Sequence, residues 1–191
     1  MFEKITLANG VRIVYEKIDY VRSVSCGIWV NNGSRMEKRT EAGISHFIEH
    51  MVFKGTQKRT AKDIACEMDY IGGQANAFTT KEYTCFYIKT LDTHLSAGLD
   101  VLCDMFFNSV FSDDDVKTEL GVILEEIDMY EDSPDDLVVE NLSKAIYKGN
   151  PLGAPILGTK SSVSKITGEQ MHEYMREHYN PEGIVVSLSG S

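Results

Sequence analysis

Residues 46–50 read His46-Phe47-Ile48-Glu49-His50. Positions i and i+4 of a helix share a face, so a helix here presents two imidazoles to a single metal ion. Histidine nitrogens bind zinc at roughly 2.0–2.1 Å. The carboxylate of Glu49 can then lie beside the ion and take a proton from a water molecule whose pKa the metal lowers to about 7. The pattern is H-x-x-E-H, the inverse of the commoner H-E-x-x-H order.

Apolar residues surround this motif and predict a helix from about Ile44 to Phe53 that is buried on most sides. They are Ile44, Phe47, Ile48, Met51, Val52 and Phe53. An ordinary solvated helix face could also carry two histidines and a glutamate. Because charged groups in an apolar helix need partners or a metal, the pattern favours a metal site.

A second helix offers carboxylates for the third ligand. Ser112 is a good N-cap, and the acidic residues that follow suit the helix dipole, so we predict a helix that runs to about Glu131. Within it, Glu119 and Glu126 are seven positions apart and share a face. Glu126 is the choice for the third zinc ligand, and Glu119 for an acid that orients a ligand or stabilises charge. The alternative is an amphipathic surface pattern with no metal.

Two further residues of this helix carry expectations. Glu125 points away from the shared face and should be solvated. Gly121 lowers helix stability by about 1 kcal/mol relative to alanine. We expect it to allow another backbone or helix to approach closely.

Taken in order, these motifs resemble the N-terminal domain of peptidase family M16, the inverzincin family of pitrilysin, insulysin and the mitochondrial processing peptidase. The resemblance is closest to bacterial proteins similar to the processing peptidase β-subunit, and it covers nearly the whole chain. It implies an α+β fold and a zinc-dependent endopeptidase with His46, His50 and Glu126 as ligands and Glu49 as general base. A further family acid corresponds to Glu119. The motifs that carry the resemblance are Leu7–Arg12, Gly33–Glu37, Gly43–Thr56, Gly73–Thr79 and Glu119–Glu126.

The chain departs from the family pattern in length. Family members carry two related domains, whereas residues 1–191 have room for one catalytic domain. The second domain usually supplies an Arg and Tyr pair that helps to hold the substrate. We therefore expect a fragment or half-protein whose partner is the missing C-terminal domain or a second subunit, with a homodimer as the other arrangement considered.

Composition narrows the function classes. The net charge of −10 argues against nucleic acid as a partner and favours cationic peptides through electrostatic steering. No stretch is long and apolar enough to span a bilayer, and the first residues lack signal-peptide character, so no membrane partner and a cytoplasmic location are expected. The four cysteines form no C-x-x-C pair and are expected to be reduced core thiols.

The remaining pattern predicts the fold class. Asn9-Gly10 between two apolar runs predicts a β-hairpin with a type I′ turn. Strands interleave unevenly with helices, which indicates α+β: one largely antiparallel sheet with helices packed on one face. Within this sheet we expect Asn76-Ala77-Phe78-Thr79 to be an edge that accepts an extended peptide substrate. The alternative is an interior strand.

Three functions compete at this point. The first is a zinc endopeptidase acting on peptides or unfolded segments. The second is a catalytically silent half or structural subunit, although such relatives typically lose the zinc motif. The third is a LuxS-like lyase that cleaves a ribosyl thioether, which shares H-x-x-E-H but uses a cysteine as its third ligand.

Overall fold

Six strands form one mixed sheet in residues 2–191, the part of the chain that the computed structural model describes. The strands are β1 (Glu3–Thr6), β2 (Arg12–Lys17), β3 (Ser23–Val30), β4 (Gln74–Thr79), β5 (Thr84–Leu91) and β6 (Ile184–Gly190). Their order is β1-β2-β6-β3-β5-β4, and every neighbouring pair is antiparallel except β2 with β6. The predicted α+β class with a largely antiparallel sheet is confirmed.

Seven α-helices accompany the sheet within the described residues. They are α1 (Ile44–Met51), α2 (Ala61–Tyr70), α3 (Leu95–Asn108), α4 (Asp113–Asp132), α5 (Pro134–Ile146), α6 (Lys160–Val163) and α7 (Gly168–His178). Local sequence explains several of their starts. Thr60 and Asp63 form a reciprocal capping box before α2, and the Ser112 side chain accepts from the Asp115 amide before α4.

The core lies between the helices and one face of the sheet. Alternate residues of β3 point into it, and the side chains of Cys26, Ile28 and Val30 are buried there. Phe47 of α1 packs in the same core with no exposed surface. The opposite face of the sheet carries a group of aromatic rings in mutual contact. Its members are Trp29, Phe78, Tyr83 and Tyr87.

The hairpin between β1 and β2 is present, but its predicted type I′ turn is wrong. That turn needs positive φ at both central residues. Here Gly10 has φ 97°, whereas Asn9 keeps a negative φ and its Oδ1 accepts from the Val11 amide. The Gly10 amide donates to the Leu7 carbonyl. The chain therefore makes a turn without positive φ at Asn9, followed by Gly10 in the left-handed backbone conformation, as in three-residue hairpin loops.

Two other sequence expectations need correction. Gly121 lies on the exposed side of α4, and a Cβ built there meets nothing within 4 Å. No other backbone or helix approaches this glycine, so the expected close contact is absent from the described residues. All four cysteines are free, as expected, but only Cys26 and Cys85 are buried, while Cys66 and Cys103 are exposed. Glu125 is exposed, as predicted.

No helix within residues 2–191 has both the length and the apolar character needed to cross a membrane.

Candidate metal centre

Helices α1 and α4 bring His46, His50 and Glu126 together. The Oε2 atom of Glu126 lies 3.5 Å from Nε2 of each histidine. One potential ligand atom from each residue lies within 4.8 Å of the other two. Ligand atoms about 2.05 Å from a tetrahedral ion are separated by roughly 3.4 Å. The donor set and its spacing therefore fit a zinc ion with three protein ligands.

The environment keeps the first histidine in a form that can bind metal. His46 is buried, and burial lowers its pKa to about 4, with a further contribution from the neighbouring His50. The two imidazole rings are 4.6 Å apart. At neutral pH the His46 ring is thus uncharged and offers a free lone pair. Its Nδ1 atom is buried and has no hydrogen-bond partner among residues 2–191.

A buried carboxylate orients the second histidine. Glu119 is 4% exposed, and its Oε1 lies 2.8 Å from Nδ1 of His50, on the opposite side of the ring from Glu126. This contact favours the tautomer in which Nδ1 carries the proton and Nε2 is free for metal. The other oxygen of Glu119 lies 2.5 Å from Nζ of Lys54.

Lys54 is the residue at this site that sequence reasoning missed. It lies four positions after His50, just beyond the end of α1 at Met51, and that spacing from the motif was the available signal. Its ammonium group compensates the charge of Glu119, which would otherwise be buried with only an imidazole beside it.

Glu49 faces the same space but stands outside the three-residue ligand group. Burial raises its pKa, while hydrogen bonds from Thr79 and the nearby His50 lower it. Its Oε2 is buried and has no hydrogen-bond partner within the described chain. A carboxylate with a raised pKa and a free oxygen beside a metal site has the properties of a general base.

A cavity of about 540 Å³ opens beside these residues, a size typical of ligand sites. Its walls come from α1, α4, α5, the end of β4 and the segment before α6. Apolar side chains form much of the lining, and acidic groups stand among them. Examples are Phe78, Ile127, Leu137, Leu157, Asp136 and Glu140.

The strand Asn76–Thr79 belongs to β4, which is the edge strand of the sheet, so the interior alternative is excluded. Phe78 and Thr79 line the cavity, whereas Ala77 is buried in the core and Asn76 is exposed. The Ala77 amide is occupied by Asn76 Oδ1 at 2.8 Å. The Thr79 hydroxyl contacts the Ser45 carbonyl, and Thr79 also hydrogen bonds to Glu49. Thr79 thus links the edge strand to α1, a role that the sequence did not suggest.

Comparison with known proteins agrees with this geometry. The sequence profile of the insulinase family, peptidase family M16, matches residues 12–160. A Bacillus subtilis protein named uncharacterized zinc protease YmxG is 51% identical over 191 residues, which are 100% of this chain and 47% of that protein. A Streptomyces coelicolor protein, also named an uncharacterized zinc protease, is 45% identical over 98% of this chain and 41% of its own length. The chain therefore spans about half the length of the curated relatives it matches.

Solved structures share the fold. A protease from Helicobacter pylori superposes with a TM-score of 0.93 at 23% identity, covering 100% of this chain and 46% of that one. The inactive domain of a peptidase M16 from Pseudomonas fluorescens superposes with a TM-score of 0.92 at 16% identity, over 100% and 46%. At these identities the likeness concerns the fold alone.

Proposed function

The chain belongs to peptidase family M16, the insulinase family, and from that premise we propose that it is a zinc-dependent endopeptidase that hydrolyses peptides or unfolded segments. The observation that carries the proposal is the close approach of His46, His50 and Glu126, with the carboxylate of Glu49 in the same cavity. The names of the curated relatives support zinc as the metal.

His46 and His50 would hold the zinc ion through Nε2, and Glu126 through a carboxylate oxygen. When bound, zinc polarises a scissile carbonyl and lowers the pKa of a water molecule. Glu49 accepts the proton from the attacking water, because its desolvated carboxylate has a raised pKa and a free oxygen. The same group then passes a proton to the leaving amine.

Glu119 and Lys54 support this site without touching substrate. The Glu119 carboxylate holds the Nδ1 proton of His50 and so fixes the ring with Nε2 toward the ion. Lys54 keeps that carboxylate in place and neutralises it. Glu119 is thus a positioning residue in this proposal.

The substrate would add to the sheet beside Asn76, Ala77, Phe78 and Thr79. Edge strands bind extended peptides through backbone hydrogen bonds, and their side chains add selectivity. In antiparallel pairing, alternate residues direct their amides and carbonyls outward. The Ala77 amide already donates a hydrogen bond to Asn76 Oδ1, so an incoming peptide carbonyl would compete with that side chain for the amide.

A partner completes the enzyme in this proposal. Curated relatives are about twice as long as this chain, so we propose that a C-terminal domain or a second subunit, a homodimer included, contributes further substrate contacts. The net charge of −10 suits peptides better than nucleic acid. A cytoplasmic location also belongs to the proposal.

The silent-subunit alternative is favoured only by the fold neighbour that is titled an inactive domain. Against it, His46, His50 and Glu126 lie close enough together to hold one metal ion, and Glu49 lines the same cavity. The lyase alternative is disfavoured because a glutamate stands at the third ligand position.

The test is a zinc measurement combined with a panel of quenched-fluorescence peptides, with and without a second half-domain supplied in trans. The proposal expects about one zinc ion per chain and peptide cleavage that chelators abolish. A chain that binds zinc yet cleaves no peptide in either setting supports the silent subunit. A chain that binds no zinc overturns the proposal.

A further inference from the structure

Glu37 makes two hydrogen bonds to the start of the motif helix. Its Oε2 accepts from the Gly43 amide at 2.7 Å, and its Oε1 accepts from the Ser45 amide at 2.9 Å. The residue directly follows the 3₁₀ turn Ser34–Met36, six positions before the helix cap. Neither the proposed metal ligands nor the proton-transfer steps use this carboxylate.

The helix needs such a contact because it cannot cap itself. The first amides of any helix lack intrahelical partners, and an N-cap side chain usually satisfies one of them. The N-cap of α1 is Gly43, which has no side chain and adopts φ 94°. A Cβ at that position would lie 2.5 Å from the Leu157 carbonyl oxygen, so a capping side chain cannot be placed there.

The helix is also short. Its eight residues are fewer than the 12–15 that an isolated helix needs in water, so tertiary contacts must hold its first turn. His46 lies in that turn, immediately after Ser45. The Ser45 hydroxyl lies 3.2 Å from the Tyr174 hydroxyl, which contacts the Asn32 side chain. Buried polar side chains therefore contact α1 at Ser45, the residue next to His46.

Burial of the Glu37 carboxylate opposes its charged form, so stabilisation of the fold alone does not explain its position. Burial raises its pKa to about 7, and the hydrogen bonds from Ser45 and Gly43 offset only part of this effect. A group whose charged form is disfavoured by burial, yet which is directed at two helix amides, is better explained by the geometry that it fixes.

We propose that Glu37 is a positioning residue for the zinc site: its carboxylate fixes the first turn of α1 and thereby holds His46 in the orientation that binds metal. This inference rests on the proposed function, because it concerns how a proposed zinc ligand is held. The role is indirect, since Glu37 contacts Gly43 and Ser45 and not the ligands themselves.

The test compares Glu37→Gln with Glu41→Gln in the 191-residue chain. Glutamine keeps the shape of the side chain, but its NH₂ group cannot accept from the second amide. Glu41 is the matched control: it lies in the same loop, its side chain pairs with Lys38, and its hydrogen bond to α1 is made by its backbone carbonyl. Hydrogen–deuterium exchange of the metal-free protein and zinc affinity by chelator competition are measured for each.

Glu37→Gln is expected to speed exchange at residues 43–46 by about fivefold to tenfold and to weaken zinc binding by a similar factor, as for loss of an N-cap bond. Glu41→Gln should neither speed exchange nor weaken zinc binding, because the Glu41 charge opposes that of Glu37 and its side chain makes no hydrogen bond to α1. Unchanged exchange and affinity in Glu37→Gln would overturn the inference, and so would faster exchange spread evenly over all helices. If Glu37→Gln does not fold, Glu37→Asp, which is shorter and keeps the charge, is expected to show the same local pattern. If the wild-type chain binds no zinc, the proposed function fails, while exchange at residues 43–46 still decides whether Glu37 holds the first turn.

Discussion

Replacing Glu49 with glutamine separates proton transfer from metal binding at this site. The side chain lies in the cavity beside His46 and Glu126 but outside the group of potential ligands. Glutamine has nearly the same shape and cannot accept a proton at neutral pH. General-base groups contribute roughly 10²–10⁴-fold to rate, so peptide hydrolysis should fall by at least about a hundredfold.

The same substitution should leave metal content and stability intact. Zinc should stay at the wild-type stoichiometry, because the proposed ligands are unchanged. Burial raises the pKa of Glu49, so its charged form is disfavoured in the folded state. Removing that charge should leave the melting temperature unchanged or raise it.

Hydrolysis of a quenched peptide, zinc content by mass spectrometry and thermal unfolding together provide the assay. Glu125→Gln is the matched control, since its side chain is exposed on another side of α4, and it should behave as wild type. Cleavage by Glu49→Gln at the wild-type rate would refute the assigned role. Loss of zinc in that variant would show that Glu49 is itself a ligand.

Three further predictions concern the support of the site. Glu119→Gln removes the charge that His50 Nδ1 and Lys54 share, and it should weaken zinc binding by about 10- to 100-fold in chelator competition; an unchanged dissociation constant contradicts this. Phe47→Ala empties a fully buried position of α1 and should lower the free energy of unfolding by about 3–5 kcal/mol in urea titrations, whereas a loss below about 1 kcal/mol contradicts the packing described. The pKa of Glu37 rises from 4.5 unfolded to about 7 folded, so the folded state binds more protons between these values and the contribution of Glu37 to stability declines as pH rises through this range. Glu41, Ser45, Gly43 and Tyr174 surround this group in both proteins, so their own effects on stability cancel in the comparison. The stability of Glu37→Gln relative to wild type should therefore rise from pH 4.5 to 7 in the metal-free chain. A stability difference that does not depend on pH would refute the assignment.

Local signals in the sequence were sufficient for much of the secondary structure. The capping residue Ser112 begins α4 as predicted, and Thr60 caps α2 in the same way, because an N-cap depends on a few neighbouring residues. The motif helix ends at Met51, two residues before the predicted end. Spacing alone also placed the two histidines on one helix face, and the pairing of α1 with α4 brings Glu126 to them.

Long-range contacts could not be read in the same way. The parallel pairing of β2 with β6 joins residues more than 160 positions apart in sequence, and periodicity says nothing about such partners. The contacts of Glu37 with α1 and of Thr79 with Glu49 depend on the path of loops and strands between them. The Asn9-Gly10 pair correctly predicted a hairpin but not its turn type, because Asn-Gly occurs in more than one hairpin geometry.

Zinc binding by Glu126→Ala tests the central claim most directly. Wild-type protein and the neighbouring variant Glu125→Ala should each bind about one zinc ion per chain. Glu126→Ala should lose the ion or bind it far more weakly, because two imidazoles from one helix then remain without the carboxylate from α4. Full zinc occupancy of Glu126→Ala at wild-type affinity would contradict the three-residue site.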